Sequence, residues 1–225
     1  MALKLFIEHM SQPSRAVMSL VLQENIPHTV INIRLSKDEH KTEEFKSQFP
    51  LRTVPSMSHL GLNLSESHAI LVYLCENFEV NQNWYPKQSG PRAKVNEYLN
   101  WHHRNTREAF GVFLFNKFMG PAIYKKPIDQ KKLENCLITQ KKVLNYLDST
   151  LKSNYIANTS SPTIADLSCY CEISQMKILK QDFSAYPNLK NWINQIETLP
   201  GIQQSHQVLN SLIPKMHEKF SQFIN

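Results

Sequence analysis

Glu66 and Ser67 offer the most direct chemistry in the chain: a carboxylate that can accept from an ammonium, beside a hydroxyl and backbone amides that can hold a carboxylate. They sit within residues 54–73, where apolar runs at 56–60 and 62–64 are split by Gly61. Ala69, Ile70, Tyr73, Leu74 and Phe78 then recur at helical spacing. The pattern predicts a hairpin followed by a helix capped by Ser65, with free N–H groups and a positive dipole end facing a ligand. The backbone beside Pro55 and the Glu66-Ser67 pair would converge on one small peptide-like molecule. Pro55 fits a strand start, and composition alone does not favour a cis bond, which only about 5–6% of X–Pro bonds adopt. A second turn, Ser11-Gln12-Pro13-Ser14, carries two hydroxyls where another helix begins. By its residues alone it is an N-cap.

The elements that must position these residues fall into two halves. Residues 3–7 read as a buried strand. A helix follows, capped by Ser11 or Gln12, with Pro13 in its first turn and Ala16, Val17, Leu20 and Val21 on its apolar face. Residues 29–33 are a second strand, so the unit is βαβ and its strands should be parallel. Residues 39–49 read as a loop and short helix leading to the ββα stretch. Residues 81–90 have linker composition, pinned by Trp84 and Tyr85.

Beyond the linker the periodicity is helical. Residues 91–118 form one long pattern with Val95, Tyr98, Leu99, His102, Thr106 and Phe110 near one face. Residues 129–151 form another with Leu133, Leu137, Gln140, Leu144 and Leu147. Thr163-Ile164-Ala165-Asp166 is a capping box in its Asp form, opening a helix over 167–179. Two shorter helices are predicted around 188–198 and 203–223. The expectation is an α+β domain over residues 1–82 and an all-α domain over 88–225.

Composition narrows the function classes. At 225 residues and 41% hydrophobic content the chain can bury a full core, and 20% charged residues mark a folded protein. It has no long uncharged apolar run and no basic start leading into an apolar core, so neither a membrane span nor a signal peptide is expected. None of its 5 glycines builds a phosphate-binding loop. The net charge of +6 is scattered, with the densest pairs (Lys125-Lys126, Lys131-Lys132, Lys141-Lys142) on solvated faces. A mildly basic cleft for an anionic ligand fits better than nucleic-acid binding. Cys75, Cys136, Cys169 and Cys171 form no C-x-x-C, and read as buried reduced thiols without metal or disulfide. The expected location is cytoplasmic.

A βαβ-ββα domain followed by a helical one resembles the cytosolic glutathione S-transferases. Val54-Pro55 looks like that family's cis-proline step, and Glu66-Ser67-His68-Ala69-Ile70 like its γ-glutamyl-binding motif. Trp84-Tyr85-Pro86 resembles its linker, and the box at 163–166 its helical-domain cap. Ser11-Gln12-Pro13-Ser14-Arg15-Ala16-Val17, together with residues 96–102 and Arg107, is most similar to the theta class, which uses serine. The resemblance implies a thioredoxin-like first domain that binds glutathione and a helical-bundle second domain that supplies an electrophile site. It implies conjugation of glutathione, as co-substrate and with no bound cofactor, to small hydrophobic electrophiles by a homodimer, with organic hydroperoxides as further substrates.

The same resemblance places roles. Ser11 would donate to the glutathione sulfur, and Arg107 would reach toward it. His40 and Lys41 would meet the glycyl end, Val54 the cysteinyl backbone, and Glu66 and Ser67 the γ-glutamyl end. Phe110, Phe113 and Phe115 would line the electrophile pocket. Thr53 stands where many relatives carry lysine or glutamine, so Arg52 is the substitute contact for the glycyl carboxylate. Arg104 stands where some theta enzymes point an acidic residue at the partner's ligand. The sequence ends at Asn225 without the long extension of some theta enzymes, which suggests a more open electrophile site. Two other classes stand beside this reading: a thiol–disulfide oxidoreductase, which the sulfur-free Ser11–Ser14 turn argues against, and a non-catalytic relative used for binding or assembly.

Overall fold

The computed structural model describes residues 2–152 and 155–224. Strand β1 (Leu3–Ile7), helix α1 (Gln12–Gln23) and strand β2 (His28–Asn32) make the expected βαβ unit, with Leu3 opposite His28 and Ile7 opposite Asn32 in a parallel pair. A short helix α2 (Glu43–Gln48), capped by the Thr42 hydroxyl, leads to strands β3 (Ser56–His59) and β4 (Leu62–Ser65) and helix α3 (Ser67–Asn77). The sheet order is β2-β1-β3-β4, with β3 antiparallel to both of its neighbours. The reason is visible in β1. Leu3, Leu5 and Ile7 face the main core, while Phe6 points to the other face and packs edge-on against Phe49, 4.8 Å between ring centroids.

The second half is all helix. α4 (Ser89–His102) is followed by two π-helical segments, Arg107–Val112 and Phe115–Met119, and a single turn α5 (Gly120–Ala122). Then come α6 (Gln130–Thr150), α7 (Ile164–Ser174) with a 3-10 turn to Leu179, α8 (Pro187–Glu197), α9 (Pro200–Ser205), α10 (Gln207–Lys219) and α11 (Ser221–Ile224). Among the described residues no helix is long and apolar enough to cross a membrane.

Four expectations change. The helix predicted around 203–223 is three, α9 to α11, interrupted at His206 and Phe220. The long pattern over 91–118 is not one helix: it breaks at residues 103–105, where the buried Tyr98 and Thr106 hydroxyls bond across the break at 3.0 Å, and resumes with wider turns. Its predicted face is nevertheless buried throughout, from Val95 to Phe110. Leu137, placed on the core face of α6, is 49% exposed; Cys136, one position earlier, is buried instead. Ser65 does not cap α3. It ends β4, its hydroxyl 2.7 Å from that of Ser56, and Glu66 becomes the cap residue at φ 73° with no side-chain cap bond.

The seam between the halves is polar and specific. Glu24, just past α1, accepts from the Trp84 indole at 2.6 Å and from the Asn81 amide at 2.9 Å. Ser19 meets Ser205 at 2.8 Å, and the Gly201 amide donates to Gln23 at 3.0 Å. A Cβ at Gly201 would lie 2.2 Å from the Ser19 carbonyl, so α9 can approach α1 this closely only with glycine there. In the helical half the box at 163–166 forms in full. Asp166 accepts from the Thr163 amide at 2.8 Å, and also from the Ile156 amide and the Trp192 indole.

Candidate functional site

A cavity of about 700 Å³ opens between the halves. Its sheet side is built from three loops: Glu8 to Pro13 after β1, Arg34 to His40 after β2, and Arg52 to Val54 before β3. Its helical side comes from the π-helical segments and the turn after them, with Lys132, Gln175, Ile178 and Leu209 completing it. The position at the ends of β1 and β3, beside the start of α1, follows from the topology.

Ser11 sits at the N-cap of α1 and lines the cavity. Its Oγ accepts a long bond, 3.4 Å, from the Ser14 amide, which leaves the hydroxyl proton free to donate. Ser14 is fully buried, and its Oγ accepts from the Glu8 amide. Two serines three apart therefore have different surroundings: one faces the cavity and one is enclosed.

The Val54–Pro55 bond is cis. Ser56 donates to the Thr53 carbonyl at 2.8 Å and ties β3 to the end of β4, which fixes where Glu66 and Ser67 leave the sheet. Glu66 is exposed and Ser67 is buried at the first residue of α3. Neither is among the cavity's lining residues, which on this edge end at Val54.

Arg52 and Thr53 are both exposed and both line the cavity, and Arg52 has φ 53°. His40 lines it too, with a buried Nδ1 that has no partner. Lys41 does not. It is exposed and paired with Asp38 at 2.8 Å, because the 3-10 turn through Glu39–Lys41 presents consecutive side chains to different sides.

On the helical side Arg107 lines the cavity from the first π-helical segment. Its Nε lies 2.6 Å from the Oε1 of Glu172, although no N–H points squarely at that oxygen. Of the three phenylalanines, only Phe115 lines the cavity, at 43% exposure. Phe110 is fully buried in the main core, and Phe113 packs against that core rather than lining the cavity. Phe110 continues the buried face that starts at Val95, and Phe113 packs against the same core, so Phe115 alone of the three is left to face the cavity. The apolar lining comes instead from Met10, Leu35, Val112, Leu114, Met119 and Ile123. Arg104 is exposed, and Cys136, Cys169 and Cys171 are buried free thiols, with burial pushing Cys171 up to about 12.

Sequence reasoning missed the polar network behind the wall. Gln12 donates to Gln175, whose amide donates to Glu172 Oε2 at 3.2 Å. His102 Nε2 is 3.6 Å from Glu172 Oε1, and burial holds the His102 imidazole below its usual range. The available signal was a lone carboxylate inside the otherwise mainly apolar run 167–173.

Comparison with known proteins agrees with this geometry. The family model for the glutathione S-transferase N-terminal domain matches residues 1–76, and that for the C-terminal domain matches 110–200. The Arabidopsis thaliana glutathione S-transferase T1 is 34% identical over 93% of this chain and 89% of its own. Human glutathione transferase theta-2, solved in complex with glutathione and an unknown ligand, superposes with a TM-score of 0.88 at 30% identity, covering 97% of this chain and 92% of that one. A human theta-class enzyme bound to the glutathione conjugate of 1-menaphthyl sulfate gives the same TM-score and identity over 97% and 91%. With a thioredoxin-like domain, an all-helical domain and theta-class homologues along nearly its whole length, the chain belongs to the glutathione S-transferase family.

Proposed function

We propose that this protein is a cytoplasmic glutathione transferase that uses Ser11 to stabilise the glutathione thiolate and attack small hydrophobic electrophiles. The observation that carries the reading is that Ser11, Val54 and Arg107, from three distant parts of the chain, line one cavity. Residues 1–82 would hold glutathione and residues 88–225 the electrophile.

A thiol with pKa near 8.5 is mostly protonated at neutral pH, and the thiolate is the nucleophile. The Ser11 hydroxyl, at a helix N-terminus and already accepting from Ser14, would donate to the sulfur and favour the anion. The thiol proton leaves to water. The sulfur lone pair then forms the new S–C bond as the leaving group departs with its electron pair. Arg107 adds positive charge on the helical side. Val54 would pair its backbone with the cysteinyl unit, Arg52, Thr53 and His40 would meet the glycyl carboxylate, and Glu66 with Ser67 the γ-glutamyl end.

The test is turnover of glutathione with an alkyl halide, and separately with an organic hydroperoxide, which two glutathiones would reduce to alcohol and water. Retention on immobilised glutathione with no turnover of any electrophile would favour a non-catalytic binding protein. Ser67→Ala should raise KM for glutathione more than it lowers kcat, because that contact exists in ground and transition states alike. A homodimer is part of the proposal, supported by the exposed Leu60 and Leu62 at the β3–β4 turn. Sedimentation should give twice the 26.2 kDa of one chain, and a stable monomer at micromolar concentration would count against it.

A further inference from the structure

α7 is buried along its whole length, yet it carries two carboxylates. Asp166 is accounted for by the cap it forms. Glu172, 1% exposed and in the middle of the last turns, caps nothing. One neighbour, His102 at 3.6 Å, is buried with it, but its closer partners lead to the cavity. Arg107 Nε is 2.6 Å from one oxygen, and the Gln175 amide donates to the other at 3.2 Å. Gln175 in turn accepts from Gln12, the residue next to Ser11. Arg107, Gln175 and Gln12 all line the cavity; Glu172 does not.

Gly111 is an independent sign that this space is reserved. A Cβ there would fall 2.8 Å from Glu172 Oε2 and 2.9 Å from Arg107 Cδ, with Gln12 Nε2 at 3.5 Å. Burying an ion pair is seldom the most stable choice for a core, since apolar residues of similar volume do as well or better. A buried pair whose charged partner faces a ligand cavity is therefore better explained by orientation than by stability.

We infer that Glu172 is a positioning residue: from outside the cavity it fixes the Arg107 guanidinium and, through Gln175, the Gln12 amide against the reacting sulfur. The inference rests on the cavity being the glutathione sulfur site. Held this way, Arg107 presents its charge in one direction, while a guanidinium on a free stem would turn toward solvent.

The test uses Glu172→Asp, which keeps the charge but draws the carboxylate back by one methylene, in the full chain. Three quantities are read: kcat, KM for glutathione, and the pKa of bound glutathione from thiolate absorbance against pH. The expected result is a kcat lower by about 10-fold, KM within about 2-fold, and a raised thiol pKa. In that background Arg107→Gln should cost less than about 2-fold further, because the two residues act as one unit. Gly111→Ala leaves both partners in place but crowds them, and should give the same pattern if Glu172→Asp does not fold. A folded variant with lower thermal stability but wild-type kcat and thiol pKa would overturn the inference, leaving Glu172 a structural residue. Independent, multiplicative effects of Glu172→Asp and Arg107→Gln would overturn it too. If wild-type protein gives no thiolate signal with glutathione, the parent reading falls and takes this one with it.

Discussion

The two walls of the cavity are built by different physics. The sheet-side wall is set by backbone: a strand end, the N-cap at Ser11 and the positive φ of Arg52 leave the chain little freedom in where Ser11 and Val54 go. The helical wall is set by packing. Its turns are π-helical, its buried residues at 110, 114 and 118 are four apart, and its cavity face combines one of these, Leu114, with residues outside the core. The sheet-side wall thus follows local rules and the helical wall tertiary packing, and each brings both kinds of lining: Ser11 with Met10 and Leu35 on one side, Arg107 and Gln175 with Val112 on the other. Leu114, Ile178 and Leu209 serve both core and cavity, whereas Val112, Phe115 and Ile123 line the cavity without joining the core, so those three are where the lining can change at little cost to the fold.

The sharpest way to break that contrast is to truncate two neighbours on the helical wall. Phe110→Ala should cost about 3–5 kcal/mol in urea unfolding, because the ring is fully buried. Phe115→Ala should stay within about 0.5 kcal/mol and instead alter which electrophiles are turned over. Similar stabilities for the two would mean that core and lining are not separate populations.

On the sheet wall the expected effect is on chemistry. Ser11→Ala should lower turnover by about 10²–10³ and raise the thiol pKa in the pH–rate profile, while losing its cap costs only about 1 kcal/mol. Ser14→Ala, enclosed rather than facing the cavity, should keep most of its activity. A Ser11→Ala enzyme at nearly the original rate with an unshifted profile would end the serine mechanism.

The smallest effect is one of pH. His206 is buried beside Ser174, Ser205 and the Ile202 carbonyl, and desolvation, with Arg15 nearby, lowers it to about 3. A depressed folded-state value means its contribution is intact above pH 6.5 and lost as pH falls toward 3. At pH 5 the loss is about 2 kcal/mol. His206→Gln should flatten the fall of Tm between pH 6.5 and 5; an unchanged slope would put the acid sensitivity elsewhere.

The same division explains what the sequence made legible. The buried strand at residues 3–7, Pro13, the Thr163–Asp166 box and the change to helical periodicity make the fold legible, because each is a local rule. The strand-side residues could be placed near one another from topology alone. The helical spacing puts Phe110 on the buried face, where the structure has it, and only the family resemblance sends it and Phe113 to the pocket. Ser65 was assigned as a cap because nothing local reveals that Ser56 claims its hydroxyl. His40 and Lys41 enter the site reading together through the family resemblance, and only the turn geometry separates them. The role of Glu172 is not legible in the sequence because it depends on Arg107 and, through Gln175, on Gln12, both far away in the chain.

The seam at Glu24 has a mechanical meaning. One carboxylate past the end of α1 holds both the Trp84 indole and the Asn81 amide, and the Trp84 carbonyl in turn accepts from the Ile164 amide at the start of α7. The connector between the halves is therefore a strut rather than a tether. The end of α1 is thereby tied through Trp84 to the start of α7, and the spacing of the two walls of the cavity rests in part on this one side chain.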